Sequence, residues 1–180
     1  AKIDLVEKKV VGYLKLSKGG MPQDVRSSPD GKTFYVADMK SAGVFLIDSE
    51  KFTEIGHIKT GLGAHGLYPS RDGSKLYIAN RGVARVYGPP KGKGSVSVID
   101  FATRKVEAAW PIPGGGSPDM GNVSIDGKQR WLSGRYDNSV YVIDTTSGTV
   151  KSIPVKTEPH GLTVWPQPGR YSLGHTGNLR

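Results

Sequence analysis

The sequence predicts an all-β fold, a β-propeller built of four-stranded antiparallel blades, and three observations carry that expectation. The dipeptide Ile-Asp recurs at Ile3-Asp4, Ile47-Asp48, Ile99-Asp100 and Ile143-Asp144, at steps of 44, 52 and 44 residues. The turn dipeptide Asp-Gly recurs at Asp30-Gly31, Asp72-Gly73 and Asp126-Gly127, at steps of 42 and 54. Between these marks lie short runs rich in β-branched and aromatic residues, with no 3.6-residue period. A unit of this length with several short strands is the signature of a propeller blade. The long step in each series spans the same segment, 81–94, which therefore reads as one inserted loop.

The elements follow in order. Ile3-Asp4-Leu5 closes a third strand, and the stretch from Val10 to Leu14 is a fourth strand without its inner partners. In the first full blade the strands run over 23–27, 33–37, 43–48 and 54–58. Ser28-Pro29-Asp30-Gly31-Lys32 is the turn between the first two, with Pro at an early position and Gly where φ must be positive. The second blade repeats this at 65–68, 76–80, 96–100 and 106–110, and the third at 120–123, 130–133, 140–144 and 150–153. Two further strands are expected at 160–164 and 171–174. The chain thus divides into a half-blade at 1–19, blades at 20–60, 61–113 and 114–157, and a half-blade at 158–180, about four blade equivalents in all. The two halves either close a four-bladed ring or flank blades supplied by a longer chain or an oligomer partner. Trp110, Trp131 and Trp165 are expected to pack between blades.

Composition narrows the classes of function. The sequence has no cysteine, which excludes disulfides and thiolate metal sites. No segment is long and apolar enough for a membrane span, so membrane insertion is not expected, and no secretory leader is present in these residues. The formal charge of +9 suits contact with nucleic acid, anionic lipid or an acidic protein, and equally suits simple solubility.

Several segments resemble the YVTN-repeat β-propeller family. Its naming segment appears as Tyr35-Val36-Ala37-Asp38 and Tyr77-Ile78-Ala79-Asn80. Its Pro-Asp-Gly-Lys turn is matched by Pro29-Asp30-Gly31-Lys32, and its Val-Ile-Asp-Thr element by Val142-Ile143-Asp144-Thr145. The segment from Pro159 to Asn178 is similar to the C-terminal end of bacterial YncE-like members. That resemblance implies the C-terminal portion of a larger, seven-bladed propeller, a periplasmic or secreted setting, and binding of single-stranded DNA as one activity associated with relatives. It covers nearly the whole chain and is specific for the repeat class rather than for a biochemistry.

Propeller topology brings the entry to each first strand and the exit of each second strand to one face beside the central channel. That rim collects Gln23, Asp24, His65, Asp119 and His160 from the first strands, and Asp38, Asn80, Arg81, Arg135, Asp137 and His175 from the second. His65, Asp119, His160, Arg135 and His175 are therefore the candidate ligand-binding residues. Two imidazoles and a carboxylate could hold a divalent metal. The preferred reading is structural, with each imidazole hydrogen-bonded to a neighbouring blade's backbone, and no metal or cofactor is expected. The basic insertion, with Arg81, Arg85, Tyr87, Lys91 and Lys93, has the composition of a polyanion-binding loop, cations for phosphates and an aromatic for stacking. It reads equally as a solvated insertion. Gly114-Gly115-Gly116 reads as a flexible connection between blades.

No hydrolase elbow, zinc-protease motif or reactive thiol is present, and no catalytic residue is assigned. The leading expectation is a non-catalytic binding platform that uses the channel face, its partner a protein or a polyanion such as single-stranded DNA. The alternatives are a metal- or cofactor-dependent propeller enzyme, of lactone-hydrolase or oxidoreductase type, and a surface adhesion module.

Overall fold

The structure, a computed structural model, describes residues 1–18, 20–86 and 92–165. Among them every regular element is a strand. Strands β1 (Lys2–Asp4) and β2 (Lys9–Gly12) form a two-stranded antiparallel piece. Three four-stranded sheets follow. The first is β3 (Pro22–Ser27), β4 (Thr33–Asp38), β5 (Gly43–Asp48) and β6 (Thr53–Lys59). The second is β7 (Ala64–Pro69), β8 (Lys75–Asn80), β9 (Ser95–Asp100) and β10 (Lys105–Pro111). The third is β11 (Pro118–Val123), β12 (Gln129–Gly134), β13 (Ser139–Asp144) and β14 (Val150–Pro154). Within each sheet spatial order follows chain order, and all pairings are antiparallel. The first strands touch from blade to blade, β3 with β7 and β7 with β11, so they are the innermost.

The repeated dipeptides are the turn chemistry of this architecture. In the turn between first and second strands, Ser28 Oγ donates to Asp30 Oδ1 at 2.5 Å, Ser70 Oγ to Asp72 Oδ1 at 2.5 Å, and Ser124 Oγ to Asp126 Oδ1 at 2.6 Å. The following Gly31, Gly73 and Gly127 take φ of 71°, 71° and 74°, where a Cβ is disfavoured. Each of the four Ile-Asp pairs at Asp4, Asp48, Asp100 and Asp144 ends a strand, and its carboxylate accepts backbone amides of the next turn. Asp4 takes Val6 N and Glu7 N at 2.9 Å, Asp48 takes Lys51 N at 2.7 Å, Asp100 takes Thr103 N at 2.7 Å, and Asp144 takes Ser147 N at 2.7 Å. Four residues past each Asp the chain turns left-handed, at Lys8, Phe52, Arg104 and Gly148, with φ of 51°, 53°, 57° and 73°.

Blade faces meet through two apolar clusters. Tyr35, Ala37, Val44 and Leu46 of the first blade pack on Leu67, Leu76, Ile78 and Ile99 of the second. Tyr77, Val96, Val98 and Ile112 pack on Val123, Leu132, Tyr141 and Ile143 of the third. Trp110 joins that second interface, its ring 6.0 Å from Tyr77.

Two expectations are corrected. Residues 160–164 form no strand. An inner strand is held by the second strand of its own blade, and the strand expected for that place, at 171–174, lies outside the described residues. Nor does Trp165 pack between blades. Trp131 is half-buried on the face of the third blade turned away from the second, opposite Arg130 and Leu132, with its Nε1 on Gln129 Oε1 at 3.1 Å. Trp165 is 83% exposed.

Candidate functional site: the channel rim

The antiparallel order sends every first strand away from one face and every second strand back to it. The rim therefore holds Ala64 and Pro118 at strand entries, and Asp38, Asn80 and Gly134 at strand exits. His65 and Asp119 meet there across the blade boundary. His65 Nδ1 lies 2.8 Å from Asp119 Oδ1, an ion-pair distance, although the two are not aligned as a hydrogen bond. A Cβ on Gly66 would fall 2.5 Å from the Asp119 carbonyl, so glycine there lets the two inner strands approach closely enough for this contact.

Asp119 is fully buried. Burial opposes its ionisation, but His65, and beyond it the charges of Arg81 and His160, outweigh that and hold the carboxyl below its usual range. His160 is exposed in the segment after β14, where Val155 N donates to Asn138 O at 2.8 Å.

Arg81 requires a correction. It was expected on the exposed basic loop, yet it is 0% exposed. As the first residue after β8 it is still tied to the sheet end, through its N on Gly63 O at 3.0 Å. Its guanidinium lies over the Tyr136 ring at 5.0 Å, and none of its three nitrogens has a hydrogen-bond partner among the described residues. Arg135, half-buried, sits 5.3 Å from the same ring. Tyr136 is thus flanked by two guanidinium groups, while its hydroxyl donates to Val86 O at 2.5 Å. Arg85 and Lys93 are exposed on the loop. Tyr87, Lys91 and His175 lie outside the described residues.

The other rim carboxylates are engaged. Asp137 Oδ2 accepts Ser117 N at 2.5 Å and the Tyr141 hydroxyl at 2.7 Å, and burial together with that carboxylate pushes the Tyr141 hydroxyl up. Asp38 is fully buried and accepts Ser41 N at 2.7 Å. Asp24 is shared within the inner wall, accepting Arg26 Nη1 at 2.7 Å through Oδ1 and Leu67 N at 2.9 Å through Oδ2.

One cluster escaped the sequence reading. His57 of β6 places Nδ1 3.2 Å from Lys18 Nζ and Nε2 3.1 Å from Ser41 Oγ. A charged ammonium can only donate, so Nδ1 carries the lone pair and Nε2 carries the hydrogen, which it donates to Ser41. That tautomer cannot take a proton from the serine, so the pair is no nucleophile and base. Burial and then Lys18 lower the His57 pKa. Among the described residues no group of three or more His, Asp or Glu is placed to hold a metal ion. His65, Asp119 and His160 meet electrostatically rather than as a ligand set.

The resulting fold and site define a β-propeller with a polar channel rim. A model of the YncE-like β-propeller family matches residues 2–169, and the chain belongs to that family. It is 27% identical over 183 residues to antigen Lp49 of Leptospira interrogans, which covers 84% of this chain and 36% of that protein. Among solved structures it resembles hydrazine synthase of Kuenenia stuttgartiensis, with a TM-score of 0.67 and 26% identity over 84% of this chain and 42% of that one. It also resembles the dihydro-heme d1 dehydrogenase NirN, solved in complex with DHE, with a TM-score of 0.66 and 18% identity over 88% of this chain and 33% of that one. The chain therefore spans well under half the length of each of these proteins.

Proposed function

We propose that this propeller is a non-catalytic binding platform whose rim face takes a polyanion such as single-stranded DNA. The observation behind this reading is the unequal division of charge between the two faces. The repeat commits its turn carboxylates, Asp4, Asp30, Asp48, Asp72, Asp100, Asp126 and Asp144, to the face opposite the rim. On the rim, Asp38 and Asp119 are buried, Asp137 is bonded, and Glu158 is the exposed carboxylate among the described residues. Lys40, Lys59, Arg85, Lys93 and Lys156 are exposed there, with Arg135 half-buried beside them. Among the described residues the exposed charge on the rim is therefore mostly positive. An enzymatic reading has less support, because among the described residues no third His, Asp or Glu joins His65 and Asp119 as a ligand set.

Lysine acetylation of the intact protein, with and without a single-stranded oligonucleotide, tests the reading. Lys40, Lys59, Lys93 and Lys156 are expected to be protected, and Lys32, Lys51, Lys105 and Lys128 on the opposite face to react as before. Protection spread equally over both sets would overturn it.

A further inference from the structure

Between the loop that leaves β8 and the connection from β10 to β11 lies an open notch of about 430 Å³ on the rim face, lined by Gly92, Lys93, Gly94, Pro111, Ile112, Gly114 and Gly115. Its walls are preformed. Gly116 N donates to Gly92 O at 2.6 Å, Gly94 N to Gly116 O at 2.8 Å, Ile112 N to Gly94 O at 3.0 Å, and Gly92 N to Ser117 Oγ at 3.0 Å. Four of its residues are glycine, and at Gly92, Gly94 and Gly115 the reason is that the two segments run together backbone to backbone. A Cβ on Gly92 would strike the Arg81 carbonyl, one on Gly94 the Gly116 carbonyl, and one on Gly115 would lie 3.0 Å from Gly92 O. The expected flexible triple-glycine connection is thus one wall of a fixed recess.

The lining is chemically simple. Among the described residues, Pro111 and Ile112 supply an apolar floor, Lys93 is the one charged lining side chain, and no lining side chain carries a hydroxyl, amide or carboxylate. Among the described residues no salt bridge reaches Lys93. We propose that this notch binds a small carboxylate with an apolar body, its single negative charge on Lys93 and its hydrocarbon or ring face on Pro111 and Ile112. A sugar would find no side-chain partners for its hydroxyls, and a doubly charged phosphate would find one cation where such ligands usually gather several donors. The volume lies in the range of small-ligand sites. The proposal rests on the reading of the rim as the face that attracts anions and names a second, low-molecular-weight ligand class for it.

The test is titration of the intact protein with benzoate, and with benzamide as its uncharged counterpart, followed by NMR shift changes or calorimetry. Benzoate is expected to bind and benzamide to bind more weakly. Lys93→Gln, an exposed position that leaves the walls intact, is expected to weaken benzoate by roughly tenfold. A Lys40→Gln, Lys59→Gln, Lys156→Gln variant is expected to bind benzoate as the parent does while losing oligonucleotide. Equal binding of the two probes, or no effect of Lys93→Gln, overturns the notch. Failure of benzoate alongside retained oligonucleotide binding overturns the notch and leaves the rim reading standing; the reverse pattern overturns the rim reading.

Discussion

Gly148 is the position where one added carbon atom should be felt across a blade interface. It occupies the left-handed place in the turn from β13 to β14, with φ of 73°. The equivalent places in the other three turns hold Lys8, Phe52 and Arg104 at φ of 51° to 57°, so a side chain is tolerated there at a backbone cost of about 1–2 kcal/mol. Gly148 differs because a Cβ would land on the Trp110 indole ring of the neighbouring blade. Overpacking of that kind costs about 1–3 kcal/mol. Gly148→Ala is therefore expected to destabilise by about 2–5 kcal/mol, a large part of the ~5–15 kcal/mol that holds a typical domain. Urea unfolding followed by tryptophan fluorescence reads this as a lower midpoint with unchanged slope. In a Trp110→Ala background the collision is gone, and the same substitution should cost only the backbone part, leaving a coupling of about 1–3 kcal/mol between the two sites. An equal cost in both backgrounds would refute the steric argument and assign the whole effect to φ.

Acid should unfold the propeller through its turns. Hydrogen bonds hold the carboxyls of Asp30, Asp72 and Asp126 below their usual range, the serine hydroxyl first and backbone amides next; at Asp100 and Asp144 the backbone amides come first. Because the folded value is the lower one, the unfolded chain binds more protons in acid. The stabilisation is present above the unfolded value of about 3.9 and is lost as pH falls through the folded values. Thermal midpoints measured down the pH scale should be level above about pH 5 and fall below about pH 4; a midpoint unchanged into strong acid would contradict this. Arg130 offers a different test, since burial lowers its pKa to about 9 and it stacks 5.2 Å from the Tyr68 ring with no hydrogen-bond partner among the described residues. Arg130→Met, which fills similar space without a buried charge, should leave denaturant stability unchanged or raise it by about 1–4 kcal/mol. A loss above about 3 kcal/mol would mean that the guanidinium is satisfied by an acceptor in the folded protein.

What was legible in the sequence is what short-range chemistry fixes. Asp30-Gly31 and Ile47-Asp48 specify turns through hydrogen bonds spanning a few residues, so the strands between them could be placed from spacing alone. The repeat puts His65 and Asp119 at the same step of successive inner strands, which brings both to one rim, but their contact follows only from how closely those strands approach. Burial of Arg81 was not legible: its charge and loop neighbours point to solvent, whereas its guanidinium lies over the Tyr136 ring of the next blade, far away in sequence. The His57, Ser41 and Lys18 cluster joins residues separated by 16 and 39 positions, with no shared motif. Residues 160–164 show the converse limit, since a run with an inner-strand pattern becomes a strand only through a ladder with a neighbour, which local sequence does not supply.

The central claim is that charge on one face, rather than total charge, binds the partner. Its most direct test is oligonucleotide affinity over a salt series for two variants of the intact protein, each with four lysines changed to glutamine. One carries the changes on the rim, at Lys40, Lys59, Lys93 and Lys156; the other on the opposite face, at Lys32, Lys51, Lys105 and Lys128. Both take the formal charge from +9 to 9 − 4 = +5. The account predicts that the rim variant loses affinity and that its dependence on log salt flattens by about 0.7 for each phosphate contact removed, while the other variant binds as the parent does. Equal losses in the two variants would show that net charge alone drives binding and would contradict the assignment of the rim.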